Sequence, residues 1–341
     1  MRCCLFVVAI FMCCAFAAVL SGQSQADDDL YKAAKAALDN KHYQEAEQAF
    51  ASVEARSPGT TNALPLRAQA LIHLNRFEQA QQCLETYLNT HPNSAEAKYL
   101  YGYVLFRRDK PSESLRMYTA AAALERPKAE DFKVVGLDYV LLSDYPDAVR
   151  WLEKSVSESP NDVEGVYYLG RAYYVENDFD KAIAAFERAL RLDPQYAKAE
   201  NNLGLALAAK NEPAAAEVAY RKAIQIGEAA REKSDQPYVN LAELLSHTDR
   251  QAEALSLLDE AERIGGKSDH AEELRGQILF SQNRLADAEA AFRTAVSLKP
   301  DKGALHYLLG RVLKREGKSA DADNEFAQSK ALSAAHPSLP D

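Results

Sequence analysis

The chain has 341 residues, 47% hydrophobic and 26% charged, so it carries enough apolar material to bury a large core. Fifty acidic residues against forty basic ones leave a net charge of −10. This excludes the basic footprint that nucleic acid requires and a polybasic role at a membrane surface. Four of the five cysteines, Cys3, Cys4, Cys13 and Cys14, lie in the first fourteen residues. Cys83 is left alone in the body, as an ordinary semi-buried small residue, which excludes an internal disulfide framework or a multi-cysteine metal site there.

Residues 1–26 begin with a single early cation, Arg2, continue as an apolar run from Cys3 to Leu20, and end in the small and polar stretch SGQSQA. This is the layout of a secretory signal peptide, with Ser24 and Ala26 at the two small positions before a cleavage point after Ala26. The apolar run also reaches the short limit for spanning a bilayer, so an uncleaved N-terminal anchor remains the second reading. Either reading places the body outside the cytoplasm, in the periplasm or secreted, or anchored and facing outward. A nearly cysteine-free body fits a bacterial export route better than a eukaryotic one.

From Asp27 onward one pattern recurs. A small residue returns at Ala34, Ala68, Gly102, Gly136, Gly170, Gly204, Ala242, Gly276 and Gly310. Twelve positions later stand Ala46, Ala80, Ser114, Ala148, Ala182, Ala216, Ala254, Ala288 and Ala322. Four further on the residue is large: Phe50, Leu84, Tyr118, Leu152, Phe186, Tyr220, Leu258, Phe292 and Phe326. Units therefore start at Asp27, Thr61, Ala95, Ala129, Val163, Ala197, Asp235, Asp269 and Gly303, each step being 34 residues except one of 38.

Each unit is expected to be two antiparallel helices. The small residues let the backbones approach, and the large one fills the space between units. Helices this short are marginal alone, and stacking supplies the core. Pro111, Pro146 and Pro213 fall near the starts of second helices, where a missing N–H costs little. The four extra residues, near 226–237, should lengthen the second helix of the sixth unit by about one turn. Nine units fill 27–336, and 337–341 form a short C-terminal tail.

This pattern resembles the tetratricopeptide repeat family, over roughly nine-tenths of the chain. The resemblance implies an all-α, right-handed superhelical solenoid of tandem antiparallel helix pairs, with first helices lining a concave groove that holds peptides or partner helices. Groove positions are the second, fifth, ninth, twelfth and thirteenth of each unit. Carried onto this chain they select Tyr99, Tyr103, Phe106 and Arg107, then Lys133 with Leu137, Val140 and Leu141, then Tyr167, Arg171, Tyr174 and Val175, and Asn201 in the sixth unit. Tyr and Arg dominate binding hot spots. The implied groove is aromatic and locally basic, with Glu96, Glu130 and Glu164 on its rim. It suits a protein or peptide partner with apolar side chains and an acidic group or free carboxylate. The competing reading of the same residues is packing and a solvated face.

In the stretch YYLGRAYY, residues 167–174, the register sends Tyr173 to the core and the stripe Tyr167, Arg171, Tyr174 to the groove, with Tyr168 beside it. The carboxylate clamp of one branch of the family needs Lys, Asn and Asn where Tyr31, Lys35 and Leu66 stand, and Asn201, Asn202 and Asn240 give only a fragment of an asparagine ladder. Arg311, Lys314 and Arg315 form a second basic cluster, read as a solvated end face or a dock for a membrane-proximal partner.

Enzymatic constellations are missing from the sequence. The seven histidines are scattered with no pair at i, i+4, and no HExxH, GxSxG, phosphate-binding glycine loop or EF-hand loop occurs. The expected function is a non-catalytic interaction scaffold without cofactor or metal. The alternatives are a chaperone-like assembly subunit of an envelope complex and an accessory module of a separate enzyme. Self-association stays open, and membrane contact is expected only if the N-terminal segment is uncleaved.

Overall fold

The computed structural model describes residues 26–56 and 62–335. The signal or anchor segment, up to residue 25, and the tail 337–341 lie outside the described residues. Among the described residues every regular element is a helix and none is a strand. The chain divides into two compact units, with the boundary in sequence after Ala172.

The first unit contains α1 (26–39) and α2 (Tyr43–Arg56), α3 (Ala63–His73) and α4 (Phe77–Thr90), α5 (Ala95–Arg107) and α6 (Pro111–Ala122), and α7 (Ala129–Leu141) and α8 (Tyr145–Glu158). It ends inside α9 (Val163–Val175). The second unit contains α10 (Phe179–Leu192), α11 (Ala197–Ala209) and α12 (Pro213–Ala230), α13 (Gln236–Ser246) and α14 (Gln251–Gly265), α15 (Asp269–Ser281) and α16 (Leu285–Leu298), and α17 (Gly303–Arg315) and α18 (Ser319–Ala335). Each unit is a stack in which helices pack against their chain neighbours.

The turn inside a helix pair has its own chemistry. Lys41, Asn75, Asp109 and Ser143 in the first unit, and Asn177, Asn211 and Asn283 in the second, all take the left-handed conformation, with φ between 57° and 63°. The matching position before α18 is Gly317, at φ 83°. Such a residue ends the first helix, and the chain then folds back. The Lys110 N–H donates to the Leu105 carbonyl at 3.0 Å and the Asp144 N–H to that of Tyr139 at 2.9 Å, which closes the helix end. Asp144 and Asp178 then cap the next helix by accepting from the backbone N–H three residues on. Pro111 and Pro213 open α6 and α12.

In five of the repeats the large residue lies against the glycine of its own repeat's first helix. A Cβ on Gly102 would meet Tyr118 at 2.7 Å, and one on Gly136 would meet Leu152 at 2.7 Å. In the second unit Gly204 faces Tyr220, Gly276 faces Phe292 and Gly310 faces Phe326 in the same way. The large residue also packs against the next repeat, as expected: Phe292 clusters with Leu309 and Val312, and Tyr220 with Tyr238 and Leu241. Tyr118 also meets Val134 and Val135 of α7, so one ring serves both contacts.

Helix α12 has 18 residues, four more than α4, α8, α10 and α16. It stops at Arg231, in the left-handed conformation at φ 58°. The core also holds one buried polar pair, where Ser114 of α6 meets Asp138 of α7.

Candidate partner-binding groove

In the first unit α5, α7 and the beginning of α9 present their faces together, because their starts at Ala95, Ala129 and Val163 repeat the same register. Between them lies an open groove of about 500 Å³. Val134, Leu137 and Leu141 of α7, one stripe at i, i+3 and i+7, form its apolar floor. Tyr103, Phe106 and Tyr168 are its aromatic walls, and Arg107, Asp109, Glu130, Lys133 and Glu164 supply its charge.

Arg107 is held in place. Its guanidinium lies 4.5 Å from the Phe77 ring centre, and Nη1 donates to the Tyr103 hydroxyl at 2.9 Å. Nη2 donates to Asn75 Oδ1 at 3.4 Å. Tyr103 and Phe106 rings stand 6.3 Å apart. Tyr99 does not line the groove. Its hydroxyl donates to the Glu125 carbonyl at 2.6 Å and its ring sits 5.8 Å from Tyr118, so it ties α5 to the loop after α6. Burial, helped by the Asp131 and Glu125 carboxylates, pushes its phenol up to about 12.

Lys133 departs from expectation. It is only 8% exposed, and its ammonium meets Asp162 at 3.0 Å, Glu164 at 3.2 Å and Glu130 at 3.7 Å. Burial alone would lower its pKa, but the Asp162 hydrogen bond and the three carboxylate charges raise it instead. Its positive charge is spent inside the protein. The locally basic groove is corrected accordingly: Asp109, Glu130 and Glu164 face Arg107 as the one lining cation with no carboxylate partner among the described residues.

On α9 one residue departs from the expected register. Tyr167 is only 6% exposed and lies with Val166, Leu169 and Ala172 on the buried face, while Tyr168 takes the groove wall. Glu164 and Tyr168 line the groove, and Arg171 continues their stripe at i, i+4 and i+7, so the change from the expected set is Tyr168 in place of Tyr167. Arg171 is exposed, with its guanidinium 6.0 Å from the Tyr168 ring. Tyr173 is buried. Tyr174 belongs to the second unit, where its ring lies 5.7 Å from Phe179. Asn201, also in the second unit, is buried and its Oδ1 accepts from Asn240 Nδ2 at 2.9 Å.

Sequence reasoning missed Asp109 and Val134 as lining residues and left Tyr168 beside the groove. The spacing of Tyr168 from Glu164 was the available signal. Among the described residues no group of three or more His, Cys, Asp or Glu stands where a metal ion would be held. No helix among them is long and apolar enough to cross a membrane. Cys83 is buried, and that burial pushes its thiol up, away from the reactive thiolate.

The fold defines a class: among the described residues, a solenoid of tandem helix pairs. Models of the tetratricopeptide repeat match residues 37–102, 170–211, 199–237, 236–260 and 273–336, more than half of the chain in total. The chain belongs to the tetratricopeptide repeat family, whose members are generally protein-interaction scaffolds and typically non-catalytic.

Solved structures agree on the fold. A tetratricopeptide repeat protein from Parabacteroides merdae is 17% identical over 73% of this chain and 97% of its own, with a TM-score of 0.58. The Cut9–Hcn1 hetero-tetramer of the APC/C also gives 0.58, at 15% identity over 87% of this chain and 58% of that one. Pseudomonas aeruginosa pilF gives 0.53, at 18% identity over 63% and 96%. No curated protein matches the chain.

Proposed function

We propose that this chain is a non-catalytic interaction scaffold that works outside the cytoplasm and holds an extended peptide or partner segment in the groove of α5, α7 and α9. The observation that carries this reading is the apolar floor of Leu137 and Leu141, seated on the buried Val134 and walled by Tyr103, Phe106 and Tyr168. Leu141 is 47% exposed and continues this apolar stripe into solvent. The family's general role supports the same reading, and the leader-like layout of residues 1–26 supports export. Apolar side chains of the partner meet this floor. Any acidic group on it meets Arg107, or Arg171 farther along α9, since Lys133 is already paired with carboxylates.

The test is capture of the native partner from envelope extract by the full chain and by a Tyr103→Ala, Leu137→Ala, Tyr168→Ala triple variant. Loss of the main captured protein with the helical circular dichroism retained is the expected result. Undiminished capture by the triple variant would rule out this groove.

A further inference from the structure

The second unit carries a cation arrangement that the groove of the first does not use. Arg311, Lys314 and Arg315 fall within five residues of α17, and all three are exposed. Among the described residues none of them has an ion pair or a hydrogen-bonded side-chain partner. The neighbouring carboxylates are engaged elsewhere: Glu273 with Lys302 at 2.8 Å, Glu289 with Lys318 at 2.5 Å, and Glu316 with Lys318 at 2.8 Å. On a chain of net charge −10, three adjacent cations without carboxylates are a local reversal of sign.

Two of them are pre-positioned. The guanidinium of Arg311 lies 5.3 Å from the Phe280 ring centre and that of Arg315 lies 5.1 Å from it. Arg311 is also 5.9 Å from the Tyr307 ring, which is 51% exposed. Residues in the last turn of a helix are often basic because they suit its dipole. That accounts for Lys314 and Arg315 but not for Arg311, a turn earlier, nor for both guanidinia resting on a ring of the neighbouring helix α15. Stacking fixes the planar group and leaves its N–H edge to meet a carboxylate. Beside Arg311, Gln277, Phe280, Phe292 and Leu308 enclose a cavity of about 200 Å³ between α15, α16 and α17.

We infer that Arg311 and Arg315, held on Phe280, anchor an acidic peptide segment whose carboxylates meet the two guanidinia while an adjacent apolar side chain enters the cavity. The cavity selects a peptide over a bare anion, and the acidic remainder of the chain opposes an anionic membrane. This site lies wholly in the second unit and shares no residue with the groove of the first, so each stands or falls separately.

The test is fluorescence polarisation with the full chain and a fluorescein-labelled, C-terminally amidated decapeptide that alternates Glu with Leu. Gln-for-Glu and Lys-for-Glu versions, and phosphatidylserine vesicles, are run beside it. The Glu peptide should bind at least about tenfold more tightly than the Gln peptide, and weaken with salt. An Arg311→Gln, Arg315→Gln variant should lose about tenfold for the Glu peptide and nothing for the Gln peptide, with unchanged thermal melting. Equal binding of the Glu and Gln peptides to the unaltered protein would overturn the inference without any variant. So would no binding of the Glu peptide at millimolar concentration, unchanged affinity in the variant, or vesicles that bind through these arginines when the peptide does not.

Discussion

Ser114 Oγ stands 2.6 Å from Oδ2 of the fully buried Asp138 and 2.9 Å from the carbonyl oxygen of Gly102. A hydroxyl has one proton and cannot donate to both acceptors. The arrangement is satisfied when Asp138 is the neutral acid: Asp138 donates to Ser114 Oγ and Ser114 donates to Gly102. Burial pushes the Asp138 carboxyl up to about 7 against the lowering effect of the Ser114 hydrogen bond. No cation offsets the burial, and the other titratable group facing it is the buried Tyr118 phenol on α6, itself pushed well up by burial and by the Asp131 and Asp138 charges.

The sign of the pH dependence follows. A carboxyl whose pKa is higher in the folded state than in the unfolded chain favours folding when protonated. Its contribution is full below about pH 4 and is lost as pH rises toward about 7, by up to about 4 kcal/mol. Asp138→Asn keeps both hydrogen bonds, with Nδ2 donating to Ser114. It should flatten this slope and raise the melting temperature by several degrees near pH 8. Thermal melts between about pH 5 and pH 8 check this, and an unchanged slope would show that Asp138 is not the responsible group.

Ser114→Ala restores the residue type found at the same place in the other repeats but removes the side-chain hydrogen-bond partner that Asp138 has among the described residues. It should cost about 1–3 kcal/mol in urea unfolding, as for any buried polar group left unmatched. In an Asp138→Leu background the same change should cost far less.

Gly204→Ala places a Cβ 2.5 Å from the Tyr220 ring, an overlap that must be relieved by movement of α12. A loss of about 1–3 kcal/mol is expected. Of the three alanines at this position, Ala68 and Ala242 stand opposite the leucines Leu84 and Leu258, and Ala34 opposite Phe50. Adding Tyr220→Leu should therefore recover much of the loss, and a double-variant cycle reads the coupling directly.

Lys133→Met removes the ammonium on which Glu130, Asp162 and Glu164 converge. Two of those carboxylates are well exposed, so solvent moderates the repulsion to about 1–2 kcal/mol. The destabilisation should shrink at high salt, and urea titrations at two ionic strengths measure the difference.

How far this was legible in the sequence depends on how far apart the responsible residues lie. Gly102 and Tyr118 mark the fold from sequence alone, because a side-chain size limit recurs wherever two helices touch. The face of α9 was not legible. Tyr167 and Tyr168 are one residue apart on a helix that is apolar almost all round, and only the packing of Val166, Leu169 and Ala172 decides between them. The neutralisation of Lys133 depends on Asp162 and Glu164 from the next pair of helices, with Glu164 31 residues away. Ser114 read as one more small residue, since its partner Asp138 lies 24 positions on.

The central claim is that the α5–α7–α9 face of the first unit holds a peptide or partner segment. Site-specific photo-cross-linking in cells tests it most directly, with p-benzoylphenylalanine placed at Leu137 on the groove floor or at Arg150 on α8. The account predicts a discrete protein adduct from position 137, lost when Tyr103 and Tyr168 are also changed to alanine, and none from position 150. Equal adducts from both positions, or none from position 137, would contradict it.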